Sequence, residues 1–106
     1  MRRGEVWWAD LPTPAGRRPV VLLSRDEAYA VRALVTVAPV TTRVRGLPVE
    51  VMLGAADGLP KECAVNLDTL TTVPKALLSE PVATLSSGRM REVDNALRFA
   101  LALEIV

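Results

Sequence analysis

The 106 residues carry a net charge of +1, half of them are hydrophobic, and they include one cysteine and no histidine. Such a length supports one compact core, so residues 1–106 are expected to form a single domain. A lone Cys63 excludes an intramolecular disulfide, and the lack of histidine excludes a Cys/His zinc site; no metal and no cofactor is expected.

Glu5 and Asp10 interrupt the opening residues, so no signal peptide is expected there. No stretch approaches the roughly 20 apolar residues of a membrane-spanning helix. The expected setting is a reducing cytoplasm with no membrane partner. Charge is unevenly spread: residues 1–50 hold eight arginines against five acids, whereas residues 51–106 hold five bases against seven acids. The positive face belongs to the N-terminal half, and it is built of arginine, whose planar fork suits bidentate phosphate contacts. A solvated rim of arginines accounts for the same charge.

Arg3 to Ala9 alternates and predicts a first strand, closed by the Pro/Gly-rich loop Asp10 to Gly16. Arg18 to Ser24 is a short β-branched run read as a second strand, and Arg25 to Val31 suits one or two helical turns. Ala33 to Thr42 is again β-rich, and its Pro39, lacking an N–H, is expected at a sheet edge or bulge. After the loop Arg43 to Leu47, Pro48 to Leu53 alternates as a half-buried strand with Val49, Val51 and Leu53 inward. Gly54 to Lys61 reads as a loop. Cys63 to Val73 and Glu80 to Leu85 read as further strands, parted by Pro74 and a helical turn at Lys75 to Leu78. Ser86 and Ser87 are N-cap residues for a terminal amphipathic helix with Met90, Val93, Leu97, Ala100 and Leu101 on its apolar face. Short strands followed by one helix predict a mainly β fold, a small twisted barrel or half-barrel with a C-terminal α-helix.

Without histidine, a cysteine pair or a phosphate-cradling glycine loop, most common catalytic constellations have no residues to use. Four segments stand out: Arg3-Gly4-Glu5-Val6-Trp7-Trp8-Ala9-Asp10-Leu11, Arg18-Pro19-Val20-Val21-Leu22-Leu23-Ser24, Val37-Ala38-Pro39-Val40-Thr41-Thr42 and Pro48-Val49-Glu50-Val51. In this order they resemble the MazF/PemK (Kid) family, toxin endoribonucleases of type II toxin–antitoxin pairs, along nearly the whole chain. The resemblance implies the SH3-like barrel of the CcdB/MazF type, working as a homodimer. It also implies sequence-specific, metal-independent cleavage of single-stranded RNA, most often mRNA, by attack of the ribose 2′-hydroxyl, leaving a 2′,3′-cyclic phosphate and a 5′-hydroxyl.

The family's catalytic arginine falls on Arg18 and its catalytic threonine on Thr41. That chemistry needs a charge stabiliser for the phosphorane and hydrogen-bonding groups at the attacking and leaving oxygens, which a guanidinium and a hydroxyl supply. Read singly, Arg18 is better explained as a strand-end arginine paired with Glu5 or Asp10, and Thr41 as an ordinary strand residue; the four motifs together put the catalytic reading ahead. Arg17, Thr42, Arg43 and Arg45 are expected to hold neighbouring phosphates or to be solvated surface. Glu50 matches a motif glutamate or pairs with an arginine across the sheet. Two departures stand out: the loop Leu11 to Arg17 is short and lacks the glutamate proposed as a base in many relatives, and Asp68-Thr69 replaces an acid-amide pair. A bound water, Glu5, Asp10 or an arginine remain for the base. The family also implies a MazE-like antitoxin, a small DNA-binding protein whose acidic tail folds into the RNA groove. Two other functions fit the same fold, a CcdB-like gyrase poison and an inactive SH3-like binding module.

Overall fold

The computed structural model describes residues 1–104, and its sheet is assembled from seven strands. They are β1 (Glu5–Asp10), β2 (Arg17–Leu22), β3 (Leu34–Thr41), β4 (Glu50–Leu53), β5 (Cys63–Asn66), β6 (Thr71–Pro74) and β7 (Leu78–Thr84). A single-turn helix, α1 (Ala28–Val31), links β2 to β3, and α2 (Ser87–Leu101) follows β7. Every strand pairing is antiparallel, in the order β4-β5-β3-β2-β1-β7 with β6 beside β3. The sheet does not close on itself, so the half-barrel form of the expectation is the one realised.

The long strand β3 organises the sheet. Along one side Val37, Ala38 and Pro39 pair with β2. Along the other, Leu34 to Val37 pair with β6, and Val40 and Thr41 pair with β5. Pro39 is therefore in a central strand, contrary to the expectation of an edge or bulge. It is tolerated because it falls in the gap where β3 leaves β6 and has not yet met β5, so its missing N–H interrupts neither pairing. The Cys63 to Val73 strand is likewise corrected: it breaks into β5 and β6, because Asn66 Oδ1 accepts the Asp68 amide at 2.9 Å and turns the chain.

Apolar side chains cover both faces. Val6, Val21, Ala38, Val40, Val65 and Leu67 pack with Val93 and Ala96 of α2 on one face. On the other, Ala9, Val20, Leu22, Val35 and Val37 pack around Tyr29 of α1 and Leu78. As expected, β4 is half-buried, with Val51 and Leu53 inward and Met52 outward. Ser86 caps α2 by accepting the Arg89 amide at 3.1 Å. Leu101, expected on the apolar face, is 52% exposed, whereas Leu97 and Ala100 pack against the core. The loop from Gly54 to Lys61 is drawn against α2 and β7. Asp57 accepts Arg89 Nε at 2.8 Å, and Gly58 takes a φ of 84° where a Cβ would come within 3.1 Å of Ala83 Cβ.

Candidate active site and nucleic-acid interface

Successive side chains of a strand point to opposite faces, and in β2 this separates two adjacent arginines. Val21 faces α2, whereas Val20 and Leu22 face α1, and Arg18 shares their parity. The register pairs Val20 with Pro39 and Leu22 with Val37. Carried two residues toward the strand ends, the same register sets Arg18 opposite Thr41. Both line a groove of about 290 Å³ together with Pro39, Arg43, Arg45, Glu50, Asn66 and Thr69.

The groove is basic and its arginines are available. Arg18 donates only to the Ala15 carbonyl, at 3.2 Å, and no acid partners it among the described residues. Neither acid expected to pair with it does so. Asp10 is held by Arg17, and Glu5 Oε1 accepts the Trp7 indole N–H and the Arg2 amide. Thr41 Oγ1 accepts the Arg43 amide at 3.0 Å, which leaves the hydroxyl proton free to be donated into the groove. Glu50 Oε1 accepts the amides of Arg45 and Leu47 at 2.9 and 3.3 Å, so the one carboxylate lining the groove folds the 43–47 loop over it. No cluster of three or more potential metal ligands occurs among the described residues.

Two of the seven expected site residues lie elsewhere. Arg17 is on the α2 side of the sheet, where it donates to Asp10 at 3.0 Å, Ser79 at 3.1 Å and Glu80 at 2.8 Å. Its guanidinium carbon lies 4.8 Å from the centroid of the Trp8 ring. The hydrogen bond to Asp10 above all, with Glu80 adding to it, raises the Arg17 pKa above its ordinary value. Thr42 leaves the basic groove for a second cavity of about 210 Å³, shared with Trp8, Pro19, Leu59, Lys61 and Cys63; Thr41 lines both. Burial pushes the Cys63 thiol pKa up, so it is an apolar wall there rather than a thiolate.

Asn66, Thr69 and Pro39 are groove residues that sequence reading missed. Asn66 pairs with Glu50 across β5 and β4, and continuing the β3–β5 register sets it beside Pro39. Its sequence signal was the Asn-Leu-Asp-Thr turn, which the overlong strand reading obscured.

The family described as PemK-like, MazF-like toxin of type II toxin–antitoxin systems matches residues 2–101. A probable endoribonuclease, MazF5 of Mycobacterium tuberculosis, is 45% identical over 100 residues, covering 93% of this chain and 91% of that protein. The structure of the M. tuberculosis toxin MazF-mt6 superposes with a TM-score of 0.88 at 32% identity, over 95% of this chain and 99% of the other. A mycobacterial endoribonuclease solved in complex with its cognate antitoxin gives 0.89 at 28% identity, over 100% and 99%. Matches of this extent reach every strand and the terminal helix, and the chain belongs to the PemK-like, MazF-like toxin family of type II toxin–antitoxin systems.

Proposed function

We propose that this toxin-family endoribonuclease cuts single-stranded RNA at the groove where Arg18 and Thr41 meet. The observation that carries the reading is that juxtaposition: an arginine with no acid partner among the described residues and a threonine hydroxyl, brought together from two strands on one basic surface. The 2′-oxygen attacks phosphorus while its proton leaves to an acceptor, the bond from phosphorus to the 5′-oxygen breaks, and the 5′-oxygen takes up a proton. The products are a 2′,3′-cyclic phosphate and a 5′-hydroxyl. Arg18 offers forked donors to the phosphoryl oxygens as charge builds on them, and Thr41 donates to one of them. Arg43, Arg45 and Asn66 hold the flanking backbone and sugar. Glu5 and Asp10 line neither side of the groove, and Glu50 is the carboxylate that does.

Charge neutralisation by arginines makes a divalent cation unnecessary, and the groove's single carboxylate is a poor cation site. Cleavage is expected to persist in EDTA and to fall by about 10²–10³-fold in Arg18→Ala; undiminished cutting by that variant refutes the assignment. The endoribonuclease names of the relatives favour RNA cutting over the gyrase-poison and inactive-module alternatives. Solved complexes of similar toxins with their antitoxins support a MazE-like antitoxin partner here. Family membership carries the further reading of a homodimeric toxin working in the cytoplasm. No described helix is long and apolar enough to cross a membrane.

A further inference from the structure

The groove holding Arg18 explains how a phosphate is gripped and leaves the second cavity, on the α2 side of the sheet, without a role. It is mostly apolar, with Trp8, Pro19, Leu59 and Cys63 as walls, and no acid lines it. Lys61 and Thr42 stand at its exposed rim. The two cavities lie on opposite faces of the sheet and meet at Thr41, the last residue of β3.

We propose that this second cavity is a nucleobase subsite, receiving a base next to the scissile phosphate; the inference rests on the RNA-cutting reading above. A strand whose phosphate is held at Arg18 and Thr41 reaches the cavity by turning one base around the end of β3. Trp8 supplies the aromatic surface, since every base offers a π-face for stacking. It is held in advance. Arg17 stacks on it and is itself tied to Asp10, Ser79 and Glu80, so little rotamer entropy remains to be lost on binding. Lys61 places a positive charge where the phosphate backbone would pass. Few polar groups line the cavity, so it selects by stacking strength and size more than by edge-specific hydrogen bonds.

The test uses oligoribonucleotides spanning a site that the unaltered protein cuts, each with one base removed to leave an abasic ribose near the scissile phosphate. One position is expected to cost the unaltered protein roughly tenfold in kcat/KM, the scale of a lost base stack. Trp8→Ala is expected to cut the intact RNA roughly tenfold less well through KM, and to be indifferent to removal of that same base. Trp8→Phe retains both activity and base dependence. Equal sensitivity to the abasic change in Trp8→Ala, or native kinetics on intact RNA, overturns the proposal. Because Trp8→Ala can disturb folding through Arg17, the second measurement keeps Trp8: in Trp7→Phe, Trp8 is the only tryptophan, and intact RNA must quench its emission while the abasic oligomer does not. That readout holds whether or not the RNA is cut, so it separates failure of this subsite from failure of the nuclease reading. If RNA leaves the emission unchanged, and Trp8→Ala weakens only capture of an antitoxin-tail peptide, the cavity is a protein-docking pocket and the proposal falls.

Discussion

Arg17 and Arg18 are consecutive in β2 yet lie on opposite faces of the sheet, the first spent in three hydrogen bonds to Asp10, Ser79 and Glu80, the second, among the described residues, donating only to the Ala15 carbonyl. The same side chain thus has two surroundings set by strand parity. Arg18→Ala is expected to lower kcat by about 10²–10³-fold, the cost of removing a donor aimed at a developing oxyanion. Arg17→Ala is expected to leave kcat within about fivefold, since exposed ion pairs contribute little, and to raise KM as Trp8 loosens. Single-turnover cleavage of a labelled RNA by both variants checks this. Equal losses of kcat in the two would show that face does not matter.

Thr41 is joined to both cavities and to the backbone of Arg43, so its hydroxyl and its shape are separable by substitution. Thr41→Val keeps the shape and loses the hydroxyl, and it is expected to cut roughly tenfold more slowly, the scale of one hydrogen bond to a charged group. Thr41→Ser restores the hydroxyl and most of the rate. Cleavage rates at saturating RNA check it, with circular dichroism confirming that all three share one fold.

Arg18, Arg43 and Arg45 are the cations lining the candidate groove, and each is expected to neutralise a phosphate. Binding of an uncut RNA to Arg18→Ala then depends on salt through the remaining two. Removing Arg45 as well should reduce the log–log slope by about 0.7, the single-strand value per phosphate released. Removing Arg17 instead should not change the slope, since its charge already serves Asp10 and Glu80. Fluorescence anisotropy across a series of salt concentrations measures both.

Sequence order made the strands and the terminal helix legible because alternation and helical spacing are local signals, and Arg18 and Thr41 stood out as candidates because they sit inside contiguous motifs. Long-range pairing was not. The Asn-Leu-Asp-Thr segment carries a turn signal, yet it does not announce that β3 will have two partners on one side, so residues 63–73 read as one strand. The same blindness to register put Arg17 beside Arg18 at the candidate site and left Asn66 out of it. Glu50 was legible only as a residue type. Its work, holding the amides of Arg45 and Leu47, depends on how a loop folds back, which spacing does not encode.

Asp57 ties the loop that carries Leu59, Pro60 and Lys61 to the first turn of α2. Its side chain is only 7% exposed, and its oxygens accept Arg89 Nε at 2.8 Å and the Gly54 amide at 2.9 Å. The Arg89 hydrogen bond, more than the Gly54 amide, holds the Asp57 carboxyl below its usual range despite the opposing effect of burial. A carboxyl with a folded pKa below its unfolded one binds fewer protons when folded, so it stabilises above the unfolded value of about 3.9 and loses that contribution as pH falls through the folded one. Asp57→Asn is therefore expected to destabilise the protein by about 2 kcal/mol at neutral pH, the scale of a lost hydrogen bond between charged groups. Its stability should also decline less steeply than that of the unaltered protein on acidification below about pH 4. Urea unfolding at pH 7 and at several points between pH 4 and pH 2 measures the difference, and parallel acid limbs in the two proteins would remove Asp57 from the account of acid sensitivity.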